Sequence, residues 1–78
     1  MITPAQCKAA RELLGWSWTQ LARASGALQS TILVFELGTA KTRPATFVKL
    51  RTALEAAGIE FIPENGGGPG VRLRKDEP

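Results

Sequence analysis

Histidine is absent from the chain and cysteine occurs once, at Cys7. Without histidine, acid–base chemistry near neutral pH loses its commonest agent. One cysteine and no histidine leave no zinc site of ordinary ligand spacing, so neither a metal nor a cofactor is expected. A lone cysteine forms no disulfide within the chain, which suits a reducing compartment, and at this position the expectation is a small buried or semi-buried helix residue rather than a reactive thiol. No apolar run approaches the ~20 residues that span a bilayer. The start, MITPAQCKAA, also lacks the charged-then-apolar order of a signal peptide, so the reading is a cytoplasmic protein with no membrane partner. The acidic residues are scattered, and so short a chain does not enclose a substrate pocket of several hundred cubic ångströms. An enzyme is not expected.

What remains is a composition typical of a globular domain, 44% hydrophobic and 22% charged. At 78 residues the chain makes one domain, near the lower limit for a core without disulfides or metals. The net charge of +3 suits nucleic acid. It is permissive rather than diagnostic, because Arg43, Arg72, Arg74 and Lys75 fall in expected loops or near the tail.

Thr3 caps a first helix that begins at Pro4, repeats Cys7, Ala10, Leu13 and Leu14 at helical spacing, and stops at Gly15. In WSWTQLARASG, Ser17 and Gln20 have capping-box spacing, which predicts a short second helix over about residues 18–25. The segment STILVFELG predicts a third helix ended by a left-handed Gly38. After the basic loop TAKTR, Pro44 opens a fourth helix with Phe47, Leu50, Leu54 and Ala57 on one face and Gly58 at its end. The period then turns strand-like: IEFI and VRLR each alternate, and PENGGGPG between them reads as a turn or loop. The last four residues, KDEP, read as a loose tail. The expected organisation is a helical domain over 1–58, a β-hairpin extension of that domain over 59–74, and the tail over 75–78.

A short second helix, a glycine-containing turn and a third helix make a helix-turn-helix pattern. The stretches LLGWS, QLARASG, STILVFELG and RPATFVKLRTALEAAG resemble the Xre/Cro-repressor family of DNA-binding proteins over about residues 4–58. The implied fold is mostly α: four helices of an Xre-like helix-turn-helix domain with a C-terminal β-hairpin. The resemblance also implies a partly buried ion pair between Arg11 and Glu36, a core or core-edge position for Trp16, and a third helix that reads bases in the DNA major groove.

The third helix departs from that family pattern. At about 100° per residue, Thr31, Ile32, Phe35 and Glu36 fall on the side that matches the family's core, and Ser30, Leu33, Val34 and Leu37 on the reading side. Three of those four reading positions are apolar. Trp18 stands where relatives have a polar phosphate donor, and Leu28 stands at the N-cap where Ser or Thr is usual. Trp18, Leu28, Leu33, Val34 and Leu37 therefore form a candidate protein-binding patch, since monomers seldom keep a large apolar patch without a use.

Three functions follow. The first is a transcriptional regulator that binds another regulator, its expected partner being a transcriptional activator, with duplex DNA binding weak or absent. The sequence also resembles QseM-type antiactivators, which restrain transfer of rhizobial conjugative elements by binding their transcriptional activators. The second is a repressor that binds operator DNA, with Gln29 and Ser30 reading bases and Lys41, Arg43 and Lys49 holding phosphates. The third is an antitoxin or structural partner that associates through the hairpin.

Overall fold

The structure is a computed structural model and describes residues 2–38, 43–63, 68 and 70–74. Its elements run α1 (Pro4–Leu13), α2 (Trp18–Ser25), α3 (Gln29–Leu37), α4 (Pro44–Ala56), β1 (Ile59–Ile62) and β2 (Gly70–Leu73). The basic loop residues 39–42, including Lys41, the centre of PENGGGPG and the tail 75–78 lie outside the described residues.

Each helix begins and ends where its local chemistry dictates. Thr3 accepts from the Gln6 backbone while the Gln6 side chain accepts from the Thr3 N–H, a full capping box with Pro4 at the first helical position. Ser17 and Gln20 do the same for α2. Gly26 and Gly38 close α2 and α3 at φ of 78° and 71°, a left-handed geometry that costs glycine no Cβ clash. α3 starts at Leu28 with no side-chain cap.

The helices converge on one core. Leu21 of α2, Ile32 and Phe35 of α3, and Leu50 and Leu54 of α4 are buried together with Cys7 and Ala10 of α1 and Ile59 of β1. Phe35 meets Phe47 edge to face at 5.1 Å between centroids. Trp16 is partly buried against this cluster, at the core edge as expected.

The hairpin closes the α1 and α4 side. β1 and β2 pair antiparallel, Ile59 with Leu73 through Ile62 with Gly70. Ile59 is buried and Phe61 and Val71 pack against the core, all on one face of the pleat. The opposite face carries the Glu60–Arg72 ion pair. The second strand begins one residue earlier than the alternation of VRLR suggests, because Gly70 pairs with Ile62; Arg74 follows the strand and its N–H donates to the Gly58 carbonyl.

Gln6 joins the two halves of this arrangement. Its side-chain nitrogen donates to the Gly70 carbonyl at 3.0 Å and the Ile62 carbonyl at 3.3 Å, while its oxygen completes the α1 cap. Gln6→Ala removes all three side-chain bonds, and the expected loss is about 1–3 kcal/mol in denaturant unfolding, with faster amide exchange in the hairpin. An unchanged unfolding midpoint and unchanged hairpin exchange would contradict this role.

Candidate interaction surface on the third helix

The inward side of α3 ends in a carboxylate, and three other side chains settle on it. Arg11 of α1 grips Glu36 bidentately, Nε to Oε2 at 2.9 Å and Nη2 to Oε1 at 3.0 Å. The third arm of the guanidinium, Nη1, donates to the Trp16 carbonyl at 2.9 Å. Both side chains are withdrawn from solvent, Arg11 to 11% exposure and Glu36 to 5%. The hydrogen bond to Glu36 strengthens the protonated form of Arg11 and raises its pKa despite the opposing effect of burial. The expected ion pair is present, and α1 is locked to α3 through it.

Trp18, first residue of α2, is wedged against the same pair. Its indole N–H donates to Glu36 Oε1 at 3.2 Å, and the Arg11 guanidinium lies 5.1 Å from its ring centroid. A partly buried indole needs an acceptor, and Glu36 supplies it. Trp18 keeps 38% of its surface exposed. Cys7 completes the set, with Sγ 3.6 Å from Glu36 Oε2. Burial first, then the charge and hydrogen bond of Glu36, push the Cys7 thiol up to about 12, while Arg11 acts the other way. A thiol so held stays protonated near neutral pH and is a packing group, not a nucleophile.

The outward side of α3 has a different character. Leu37 is 65% exposed and Leu28, at the helix entrance, 72%. Leu33 and Val34 are each partly buried. Helical periodicity puts them on opposite flanks of the Ser30–Leu37 ridge, Leu33 on the side of Glu36 and hence of Trp18. Leu13 on α1, Val48 on α4 and Leu73 on β2 are exposed as well, Val48 in a groove with Ile2, Pro44 and Phe47. Exposed apolar residues are normal on any surface, and Leu28 and Leu37 mark the two ends of α3.

The polar candidates lie around this ridge. Gln29 and Ser30 are exposed at the start of α3. The Thr19 hydroxyl donates to Gln29 Oε1 at 2.8 Å across the turn, which holds the carbonyl end of that amide toward α2. Arg43, at the N-cap of α4, and Lys49, on α4, are both exposed. Neither the Thr19–Gln29 bond nor the Trp18–Glu36 bond has a local sequence signal: the partners stand ten and eighteen residues apart. What the sequence does carry is Trp18 at a normally polar position, where its N–H requires an acceptor.

Four helices with a tight α2–Gly26–α3 turn and an outward third helix are the geometry of a DNA-binding module, and residues 8–59 match the family described as helix-turn-helix. The protein belongs to this helix-turn-helix family. It is a transcriptional regulator of the Xre type, a family of DNA-binding regulators and not of enzymes. No curated protein is significantly similar to the chain. Among the described residues of this helix-turn-helix protein, no helix is long and apolar enough to cross a membrane.

Two outcomes test the inward network. Glu36→Ala strands the Arg11 charge and frees the indole N–H, at an expected cost of about 3–5 kcal/mol in unfolding free energy; an unchanged thermal midpoint would show that the pair is solvated. The second concerns pH. Because the folded-state pKa of Cys7 lies above its ordinary 9.0, the unfolded chain releases this proton first as pH rises. Its contribution is complete below pH 9 and declines as pH climbs toward about 12. Wild type should therefore lose stability more steeply than Cys7→Ala across that window, and parallel profiles would contradict the assignment.

Proposed function

We propose that this helix-turn-helix protein acts as an antiactivator: it binds a transcriptional activator through the outward face of α3 rather than reading an operator. The observation that carries the reading is the composition of that face. Leu37 on the ridge, Leu33 and Val34 on its flanks and Leu28 at its entrance replace the hydrogen-bonding side chains that base edges require.

The energetics favour a protein over DNA at such a face. Against base pairs, these side chains cover donors and acceptors without replacing their lost water, a cost of about 1–3 kcal/mol for each group left unmatched. Against an apolar cleft, full burial of a Leu or Val contributes about 1.5–3 kcal/mol. Several such residues beside Trp18 offset the cost of association and reach the roughly 8 kcal/mol of a micromolar complex. The resemblance to QseM-type antiactivators supports the same partner class.

Operator binding is the second reading, favoured by the exposure of Gln29, Ser30, Arg43 and Lys49. Gln29 has an amide nitrogen left to donate toward a base or phosphate while its oxygen accepts from Thr19. On this reading Lys41 would hold phosphate alongside Arg43 and Lys49.

The variants Leu33→Asp, Val34→Asp and Leu37→Asp separate the two. Leu37 is the cleanest of them, being the most exposed of the three. With folding confirmed by circular dichroism, each should weaken binding to the activator recovered from the native cell by tenfold or more, a loss of at least ~1.4 kcal/mol, and relieve its repression. Full binding and regulation by all three would remove the face from the mechanism and favour operator DNA.

A further inference from the structure

A groove of about 190 Å³ lies between α4 and the residues that precede α1, lined by Ile2, Pro44, Phe47, Val48 and Arg51. Four of these five belong to α4 and span two helical turns, so the groove follows that helix for about 10 Å. Its walls are apolar: Ile2 is buried, Phe47 is half-buried, and Pro44 and Val48 are exposed. Among the lining residues only Arg51 is charged. Its guanidinium is held in place without being used up. Nε donates to Glu55 Oε2 at 3.1 Å, and Cζ lies 5.7 Å from the centroid of the Phe61 ring. Neither Nη group has a partner among the described residues. With the two side chains 46% and 43% exposed, the Arg51–Glu55 pair is screened by solvent and leaves the fork able to take a second carboxylate.

We propose that this groove binds a small monocarboxylic acid, its apolar body against Ile2, Phe47 and Val48 and its carboxylate on the two Nη groups of Arg51. Guanidinium and carboxylate match as a bidentate pair, which fixes the orientation of the ligand as well as its charge. The volume sets its size. It lies below the roughly 300–1,000 Å³ of sites for drug-sized ligands, so the occupant is a short branched or aromatic acid. Phosphate would satisfy the arginine and leave the apolar walls wet, whereas a hydrocarbon with no acid group would cover the guanidinium without pairing it. A free acid and the C-terminus of a peptide that ends in an apolar residue present the same chemistry. Phe47 also meets Phe35 of α3 edge to face, so a ligand in the groove touches a side chain packed directly on the inward side of α3. The site is independent of whether the outward side of α3 docks protein or DNA.

The test titrates the full chain at physiological salt and follows its methyl and amide resonances. Phenylacetate and isocaproate should bind saturably, at about millimolar affinity or tighter, the range that so few atoms supply. They should shift the methyls of Ile2 and Val48 and the amide of Phe47. Phenylacetamide, with the same body and no charge, should bind about tenfold or more weakly. Arg51→Gln, at an exposed position, should bring the acid down to the level of the amide, and Val48→Trp should fill the groove and weaken both. The comparison of acid with amide needs no variant, so a folding defect in either one does not shelter the proposal. A tripeptide ending in leucine, with its C-terminus free or amidated, separates the two sources. The free form binding more tightly than isocaproate assigns a protein C-terminus, and more weakly a free acid; the amidated form binding as tightly as the free form would overturn the proposal. Equal affinities for phenylacetate and phenylacetamide, full acid binding by Arg51→Gln, or inorganic phosphate that displaces phenylacetate at equal concentration would each overturn it. So would the same methyls shifting with protein concentration alone while sedimentation shows a dimer, which would assign the groove to a contact between copies of the chain.

Discussion

One carboxylate, Glu36, organises the helical part of this protein. It is the acceptor for Arg11 from α1 and Trp18 from α2, and it belongs itself to α3, so three helices meet at a single charged group. An ion pair this far from solvent contributes little net stability over an apolar replacement, because desolvation offsets most of the attraction. Its effect is geometric. The bidentate fork fixes the rotation of α3 about its axis, and with it which residues face the core and which face outward. Arg11 also holds the Trp16 carbonyl, tying the α1–α2 connection into the same arrangement.

Once the inward side of α3 is determined by Ile32, Phe35 and Glu36, the outward side is free to change without loss of fold. In this chain three of its four residues, Leu33, Val34 and Leu37, are apolar. The helix gives up a side-chain cap at Leu28, a sacrifice of about 1 kcal/mol, and depends on packing for its stability. That combination makes sense where the face is to be buried again against another protein. It would be costly in a helix required to hydrogen-bond to base edges, since the backbone and the side chains would both lack polar partners.

The sequence made the helical skeleton legible because its punctuation is local. Thr3 with Pro4, Ser17 with Gln20, Gly38 and Gly58 mark helix ends through side chains within a few residues of the backbone groups they satisfy. Apart from the Arg11–Glu36 pair, which the family resemblance implied, long-range polar contacts were not legible. Gln6 reaches strands 56 and 64 residues away, and nothing near it in sequence records that. The start of β2 depends on which residue faces Ile62 across an eight-residue separation, and alternation alone leaves that register open. For the candidate surface, periodicity separated the two sides of α3 correctly, with Ile32 and Phe35 buried and Leu37 exposed. It did not separate the ridge from the flanks, where Leu33 and Val34 are only partly exposed. Nor did it reveal that Trp18 turns its N–H inward.

On the proposed reading the third helix docks protein and does not read sequence. Fluorescence anisotropy of labelled duplexes, one of arbitrary sequence and one from the promoter the protein controls, titrated at low and at physiological salt, distinguishes the two. Phosphate contacts made by exposed basic residues weaken steeply with salt and are blind to sequence. Weak binding is expected, equal for both duplexes and largely lost at physiological salt. A complex that forms with the promoter alone, survives physiological salt and disappears in Gln29→Ala would contradict it.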